Sequence, residues 1–206
     1  MNLRVIKPPA PIVEPMDILG GHEPDDRAVR RMIAAATRTI DGPNGWLKRC
    51  LGPQTLELSM DRWCGQNHRL PCGPVIKIVS VNYLDGEGGQ QSVADGNWRL
   101  CDDRIWFGCN FSRPALGAWP GVVRIRYEAG YNGDGEGKTG EIPPEAIQAV
   151  ILLAQHLKAT GAENLFVASE EVEGVGSQRF VVSDQADALV KRAVDSLLNG
   201  LRVISL

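Results

Sequence analysis

Cysteine and histidine are the residues whose spacing in this chain comes nearest to a chemical site. Cys64, His68 and Cys72 follow one another in steps of four, and Cys101 and Cys109 could in principle complete a zinc site. The sequence contains no C-x-x-C pair, and an intervening glycine and proline would break any helix that aligned the step of four. We therefore predict reduced thiols and no metal, which also suits an odd count of 5 cysteines.

No catalytic motif accompanies these residues. The sequence lacks G-x-S-x-G, a Walker glycine loop and H-E-x-x-H. Two acidic pairs, Asp25 with Asp26 and Asp102 with Asp103, are neighbours in sequence, so helix capping and turn roles account for them. His156 falls late in a predicted helix, where a structural role near the negative end of the helix dipole is favourable. We predict no catalytic residue and no cofactor, with a small hydrolase that uses Asp or His as the enzymatic alternative.

Composition excludes other classes of function. A net charge of −3 over 206 residues argues against a broad nucleic-acid-binding face, which needs clustered Lys and Arg. The longest apolar run, residues 149–154, is far shorter than the roughly 20 residues of a membrane span. The first 15 residues lack the apolar core of a signal peptide, so we expect a cytoplasmic protein.

Three helical segments would have to position any functional surface. The central one, residues 142–161, has Pro144 where a first helical residue is favoured and Gly161 where a helix can stop. Its apolar residues leave only a narrow polar edge, which predicts a helix surrounded by others. Residues 25–40 and 183–198 each repeat apolar side chains at helical spacing and begin with a capping residue. These segments predict a bundle of three to four helices.

The middle of the chain changes to the period of strands. Strands are predicted over residues 54–60, 75–84 and 122–127, and a tight hairpin joins residues 98–101 to 104–107. No strand–helix–strand unit is present, which excludes a doubly wound fold. The predicted fold class is α+β: a small helical bundle with an inserted antiparallel β-sheet.

The remaining segments suit contacts with other proteins. Residues 2–21 are extended and rich in proline, residues 161–182 are predicted to be a mobile loop, and residues 201–206 form an apolar tail. We therefore predict a single domain over residues 1–206, a β-rich insertion over 54–130 and a C-terminal docking tail over 201–206. Long apolar helices without catalytic residues are typical of an assembly subunit.

The ordered segments resemble the head-to-tail connector, or adaptor, proteins of tailed bacteriophages and gene transfer agents. The resemblance rests on five stretches in the same order: LRVIKPPAP, GWLKRCLGPQTLEL, LPCGPVIKIVSVNYLD, VRIRYEAGY and IPPEAIQAVILLAQHLK. They lie within residues 3–160, while the chain after Gly161 departs more from the pattern, although EEVEGVGSQRFVVSD is similar to a segment before the last helix of many adaptors.

The resemblance implies a dodecameric ring beneath a portal protein, with a tail-side stopper or terminator below and DNA passing through the lumen. It places the protein in the neck of a virion or phage-like particle that assembles in the bacterial cytoplasm, without membrane contact. A tail-completion or baseplate protein is the alternative. The predicted portal-binding residues are apolar or basic and lie in two late segments: Arg179, Phe180, Val181, Val182, Leu201, Arg202, Val203, Ile204 and Leu206.

Overall fold

The computed structural model describes residues 1–162, 170–172, 176–178 and 184–203, and the side chains of residues 161–187 are not described. The chain forms two compact units. The sheet unit contains Met1–Ile12, Asp41–Ile142 and Val203–Leu206, and the helical unit contains Val13–Ile40 and Pro143–Arg202. The predicted α+β class is confirmed.

In the part of the sheet unit that the structure describes, eight strands build two antiparallel sheets. Five strands are ordered β1-β2-β8-β4-β5, and three are ordered β3-β7-β6. Their bounds are β1 Asn2–Lys7, β2 Gln54–Met60, β3 Asn67–Arg69, β4 Val75–Leu84, β5 Gln90–Ser92, β6 Trp98–Cys101, β7 Arg104–Phe107 and β8 Val123–Ala129. The predicted bounds of β2, β4 and the β6–β7 hairpin are confirmed, and β8 lies one to two residues later than predicted.

Alternation along β2 and β8 places one face of the large sheet in the core. Leu56, Leu58, Ile125 and Tyr127 are buried in the cluster that also holds Ile105 and Phe107 of β7. The hairpin turn at Asp102 and Asp103 has φ angles of 47° and 59°, the left-handed backbone that a two-residue turn between twisted strands requires. The other face of the large sheet is polar.

The N-terminal segment joins this sheet. Residues 2–21 were expected to be extended along a surface or a neighbouring subunit, and residues 2–7 instead pair with β2 as an edge strand. The sheet unit therefore begins outside the predicted span of 54–130. Val5 and Ile6 on this edge strand are 40% and 41% exposed.

Within the described residues, three α-helices form the helical unit: α1 Arg27–Ile40, α2 Pro144–Ala162 and α3 Asp184–Leu198. Pro144 is the first residue of α2, as predicted, and the helix ends at Ala162, one residue beyond the predicted stop. α2 packs against both α1 and α3. A short hairpin of β9 Glu170–Val172 and β10 Gly176–Gln178 lies between α2 and α3 in the sequence.

The central helix is less enclosed than its sequence predicts. Its fully buried residues are mostly small, namely Ala146, Ala149, Val150 and Ala154. The large aliphatic residues are half-buried, and Leu157 is 38% exposed. On α3, Leu189 is 65% exposed. Both helices therefore keep large apolar side chains in contact with solvent. None of the described helices is both long enough and apolar enough to span a membrane.

Candidate interaction surfaces

The predicted portal-binding residues lie at the edge of what the structure describes. Arg179, Phe180, Val181, Val182, Ile204 and Leu206 lie outside the described residues. Leu201 ends a 3₁₀ turn over Asn199–Leu201, and Arg202 continues as exposed, extended backbone. The Val203 N–H donates a hydrogen bond to the Leu47 carbonyl at 3.1 Å. The tail is thus held within the chain up to Val203, and its role in portal binding stays a prediction.

The cysteine and histidine residues are not brought together as ligands. Cys101 and Cys109 are exposed, and Cys64 is half-buried. Among the residues that the structure describes, no group of three His, Cys, Asp or Glu side chains is placed to hold a metal ion. Burial and nearby Arg104 lower the pKa of His68, which favours its neutral ring.

Cys50 and Cys72 form a buried thiol pair that the sequence did not indicate. Their segments meet where the Cys50 N–H donates to the Gly73 carbonyl at 3.2 Å. The neighbouring Cys72 thiol and burial raise the pKa of Cys50, so this thiol stays protonated. A protonated buried thiol is a poor nucleophile and a poor metal ligand, and Cys50 therefore belongs to the packing of the sheet unit. A hydrogen bond from Cys50 lowers the pKa of the Cys72 thiol.

The polar face of the large sheet is organised around Glu57. Arg4 on β1 and Arg126 on β8 flank Glu57 on the intervening strand. Arg4 Nη2 lies 2.6 Å from Glu57 Oε1, and Arg126 Nη2 lies 2.8 Å from Oε2. Burial opposes the charge of Glu57, but hydrogen bonds from Arg126 and Arg4 outweigh it, so the pKa of this carboxyl is below its usual value. Two arginines thus neutralise one carboxylate, which leaves an excess positive charge on this face.

A depression of about 300 Å³ lies at one end of the same face. It is lined by Met1, Asn2, Arg4, Ser59, Asp61, Pro120, Gly121 and Arg124. Asp61 is already engaged, because its Oδ1 accepts the Gly121 N–H at 2.7 Å. Arg124 donates its Nε–H to the Gly121 carbonyl at 3.4 Å, and within the described residues it forms no ion pair. The guanidinium of Arg124 is therefore available to an anionic group of a partner.

An acidic loop follows the opposite end of β8. Residues 131–141 contain Asp134, Glu136 and Glu141 against one lysine, Lys138. Hydrogen bonds close the base of the loop. Gly133 and Gly140 exchange N–H···O bonds of 3.0 and 3.1 Å.

A threonine strengthens this base. The Thr139 hydroxyl donates to the Gly130 carbonyl at 2.7 Å, and the Thr139 N–H donates to Asn132 Oδ1 at 2.9 Å. Residues 134–138, at the tip, are all exposed. The base therefore fixes where the acidic tip projects from the sheet unit.

Lys158, His22 and Asp26 form a polar chain in the helical unit. Lys158 Nζ lies 2.7 Å from His22 Nε2 and donates to the Leu19 carbonyl at 2.9 Å. His22 Nδ1 lies 3.2 Å from Asp26 Oδ2. Asp26 Oδ1 accepts the N–H groups of Ala28 and Val29, so this carboxylate caps α1, as predicted for Asp25 or Asp26. Every member of the chain has a structural partner, and no hydroxyl or thiol nucleophile adjoins it in the contacts described.

Known proteins match this chain at the level of fold. No family model and no curated protein matches it. Among solved structures, it is similar to a chain in the neck of a native gene transfer agent particle computed with C12 symmetry, with a TM-score of 0.65 and 21% identity. It is also similar to a chain in the virion of a native gene transfer agent particle, with a TM-score of 0.65 and 20% identity.

A third similar chain comes from the neck of an empty gene transfer agent particle computed with C6 symmetry, with a TM-score of 0.62 and 20% identity. All three similarities cover 100% of this chain and 97% of the other. The resemblance predicted from the sequence is therefore confirmed as a shared fold over the whole chain.

Proposed function

We propose that this protein is a structural head-to-tail connector subunit of a phage-like particle. The supporting observation is the fold shared, over the full length of the chain, with proteins in the necks of gene transfer agent particles. The connector forms a ring beneath the portal and joins the DNA-filled capsid to the tail. Its partners are the portal above, a tail-side stopper or terminator below, and further copies of itself, twelve in the ring. It assembles in the bacterial cytoplasm and works in the particle neck.

Exposed apolar side chains support an assembly role. Leu157 on α2 and Leu189 on α3 remain exposed, and β1 is an edge strand with Val5 and Ile6 exposed. An edge strand and uncovered apolar side chains are sites at which another chain can pack. A single chain therefore has surfaces that neighbouring subunits would cover.

The first test is particle shape. Purified protein, alone and mixed with purified portal, is examined by electron microscopy, and we expect rings of subunits attached to portal rings. Capture of a tail-tube protein without portal would instead favour a tail-completion or baseplate role. The DNA channel is tested separately: we expect no measurable binding of double-stranded DNA at physiological salt, because the chain carries a net charge of −3.

The second test concerns the docking tail, which includes Leu201, Arg202, Val203, Ile204 and Leu206. Ending the chain after Val203 keeps its bond to the Leu47 carbonyl and removes residues 204–206. We expect loss of portal attachment with unchanged circular dichroism, since the removed residues follow the last described contact. A matched variant, Phe180→Ala with Val182→Ala, tests the segment of Arg179, Phe180, Val181 and Val182. Full portal attachment by both variants would refute the proposed docking segments and leave the ring to be judged by microscopy.

A further inference from the structure

The sheet unit has unlike charges at the two ends of one strand. Arg124, which lines the depression, lies at the start of β8, and Gly121, which also lines it, lies just before the strand. The acidic loop of residues 131–141 follows the end of β8. The 7 residues of β8 separate the two sites by about 20 Å at the usual rise of an extended strand. The two surfaces therefore point to separate contacts, and they do not neutralise each other within the chain.

Their charges are complementary. The depression offers Arg124, with no ion pair in the described part of the chain, beside the arginine-rich face around Glu57. The loop offers Asp134 and Glu136 on an exposed tip whose base is fixed by hydrogen bonds. An exposed carboxylate of the tip is small enough to enter a depression of about 300 Å³ and reach a guanidinium.

Resting on the proposed ring, we propose that the acidic loop of one subunit docks into the basic depression of the next. The partner is thus a second copy of this chain. Each copy gives its loop to one neighbour and its depression to the other, which is the head-to-tail arrangement from which rings are built. Carboxylates of Asp134 and Glu136 pair with Arg124 across this contact.

Charge reversal tests the contact in both directions. Arg124→Glu makes the depression acidic, so the depression of one variant chain repels the acidic loop of the next. Asp134→Lys with Glu136→Lys makes the loop basic, so the loop of one variant chain repels the basic depression of the next. We expect each variant alone to self-associate about tenfold more weakly per contact than wild type, measured by sedimentation velocity. Mixing the two variants restores opposite charges at every contact and should restore assembly.

The control keeps the change in net charge and moves it elsewhere. Glu87→Lys with Asp95→Lys alters two exposed carboxylates outside the loop and should assemble as wild type does. The inference is overturned if the control fails as the loop variant does, if the single variants assemble normally, or if the mixture stays dissociated. Wild-type protein that remains monomeric at every concentration also overturns it, and portal capture then judges the connector role independently.

Discussion

Replacing Glu57 with glutamine should destabilise the sheet unit more than any other loss of one charge on its polar face. Glutamine keeps the shape of the side chain but has a single acceptor oxygen, and its amide nitrogen then faces a guanidinium. One charge-assisted hydrogen bond is lost, worth about 1.5–3 kcal/mol. The lower part of that range applies, because Arg4 and Arg126 are 58% and 42% exposed and can turn to water. We expect a loss of about 2 kcal/mol.

Glu128→Gln is the matched control on the same face. Glu128 Oε2 lies 3.3 Å from Lys77 Nζ, and the two side chains are 35% and 61% exposed. An exposed pair of this kind is worth about 0–1 kcal/mol. Both free energies of unfolding can be measured by urea titration with tryptophan fluorescence, because all 5 tryptophans lie within Asp41–Ile142. Equal losses for the two variants would refute the central role of Glu57.

The pH dependence of the free energy of unfolding tests the role of Glu57 independently. The pKa of Glu57 is lower in the folded protein than in the unfolded chain, where it is about 4.3. The carboxylate therefore contributes its full stabilisation above about pH 4.3 and loses it as the pH falls through the folded value. The difference between wild type and Glu57→Gln should be full at pH 7 and shrink below about pH 4. A difference that grows on acidification would contradict the assignment.

Three further changes test other parts of the fold. Lys158→Met removes the ammonium that links α2 to the chain before α1 and should lower the free energy of unfolding by about 1 kcal/mol. We expect the midpoint of thermal unfolding to fall by about 2–4 °C, as followed by far-UV circular dichroism. Tyr127→Phe removes the 2.7 Å hydrogen bond that the Tyr127 hydroxyl donates to the Pro71 carbonyl. It should lower the free energy of unfolding, measured by urea titration, by about 1–2 kcal/mol. Gly130→Ala should lower the free energy of unfolding by more than about 3 kcal/mol, because its φ is 129° and a Cβ would collide with backbone. Gly137→Ala, which has open space around it, should lower it by only about 1 kcal/mol. Similar losses for both variants would show that backbone collision is not the cause.

Local patterns predicted the elements that their own residues stabilise. β2 and β4 were predicted at their observed bounds because apolar and polar side chains alternate along β2 and β-branched residues fill β4. The short strands β3 and β5 were missed, since 3 residues contain no measurable period and pairing alone makes them strands. β1 was missed as a strand for a related reason: the prolines after it indicate extended chain, and only its pairing with β2 makes it part of the sheet.

The polar sites depend on contacts between distant residues. Arg4 and Arg126 are 53 and 69 residues from Glu57 in the chain, so no local motif joins them. The sequence nevertheless carries a signal for this site, because charged residues occupy the outward positions of the predicted strands. The order of the strands in the sheet, which brings those charges together, cannot be read from the sequence. Residues 179–182 and 204–206 lie outside the described chain, so their predicted contacts stay predictions.

Charge placement allows two ways in which copies of this chain can meet. In a two-fold dimer every contact is made twice, so the acidic loop of each copy would lie in the basic depression of the other. In a head-to-tail ring each copy gives its loop to one neighbour and receives the loop of the other neighbour. Opposite charges meet in both arrangements, so the size of the assembly distinguishes them: a two-fold dimer stops at two copies, whereas a ring contains more. Sedimentation velocity of the wild-type protein should therefore show a species larger than a dimer, and a dimer as the largest species would contradict the ring.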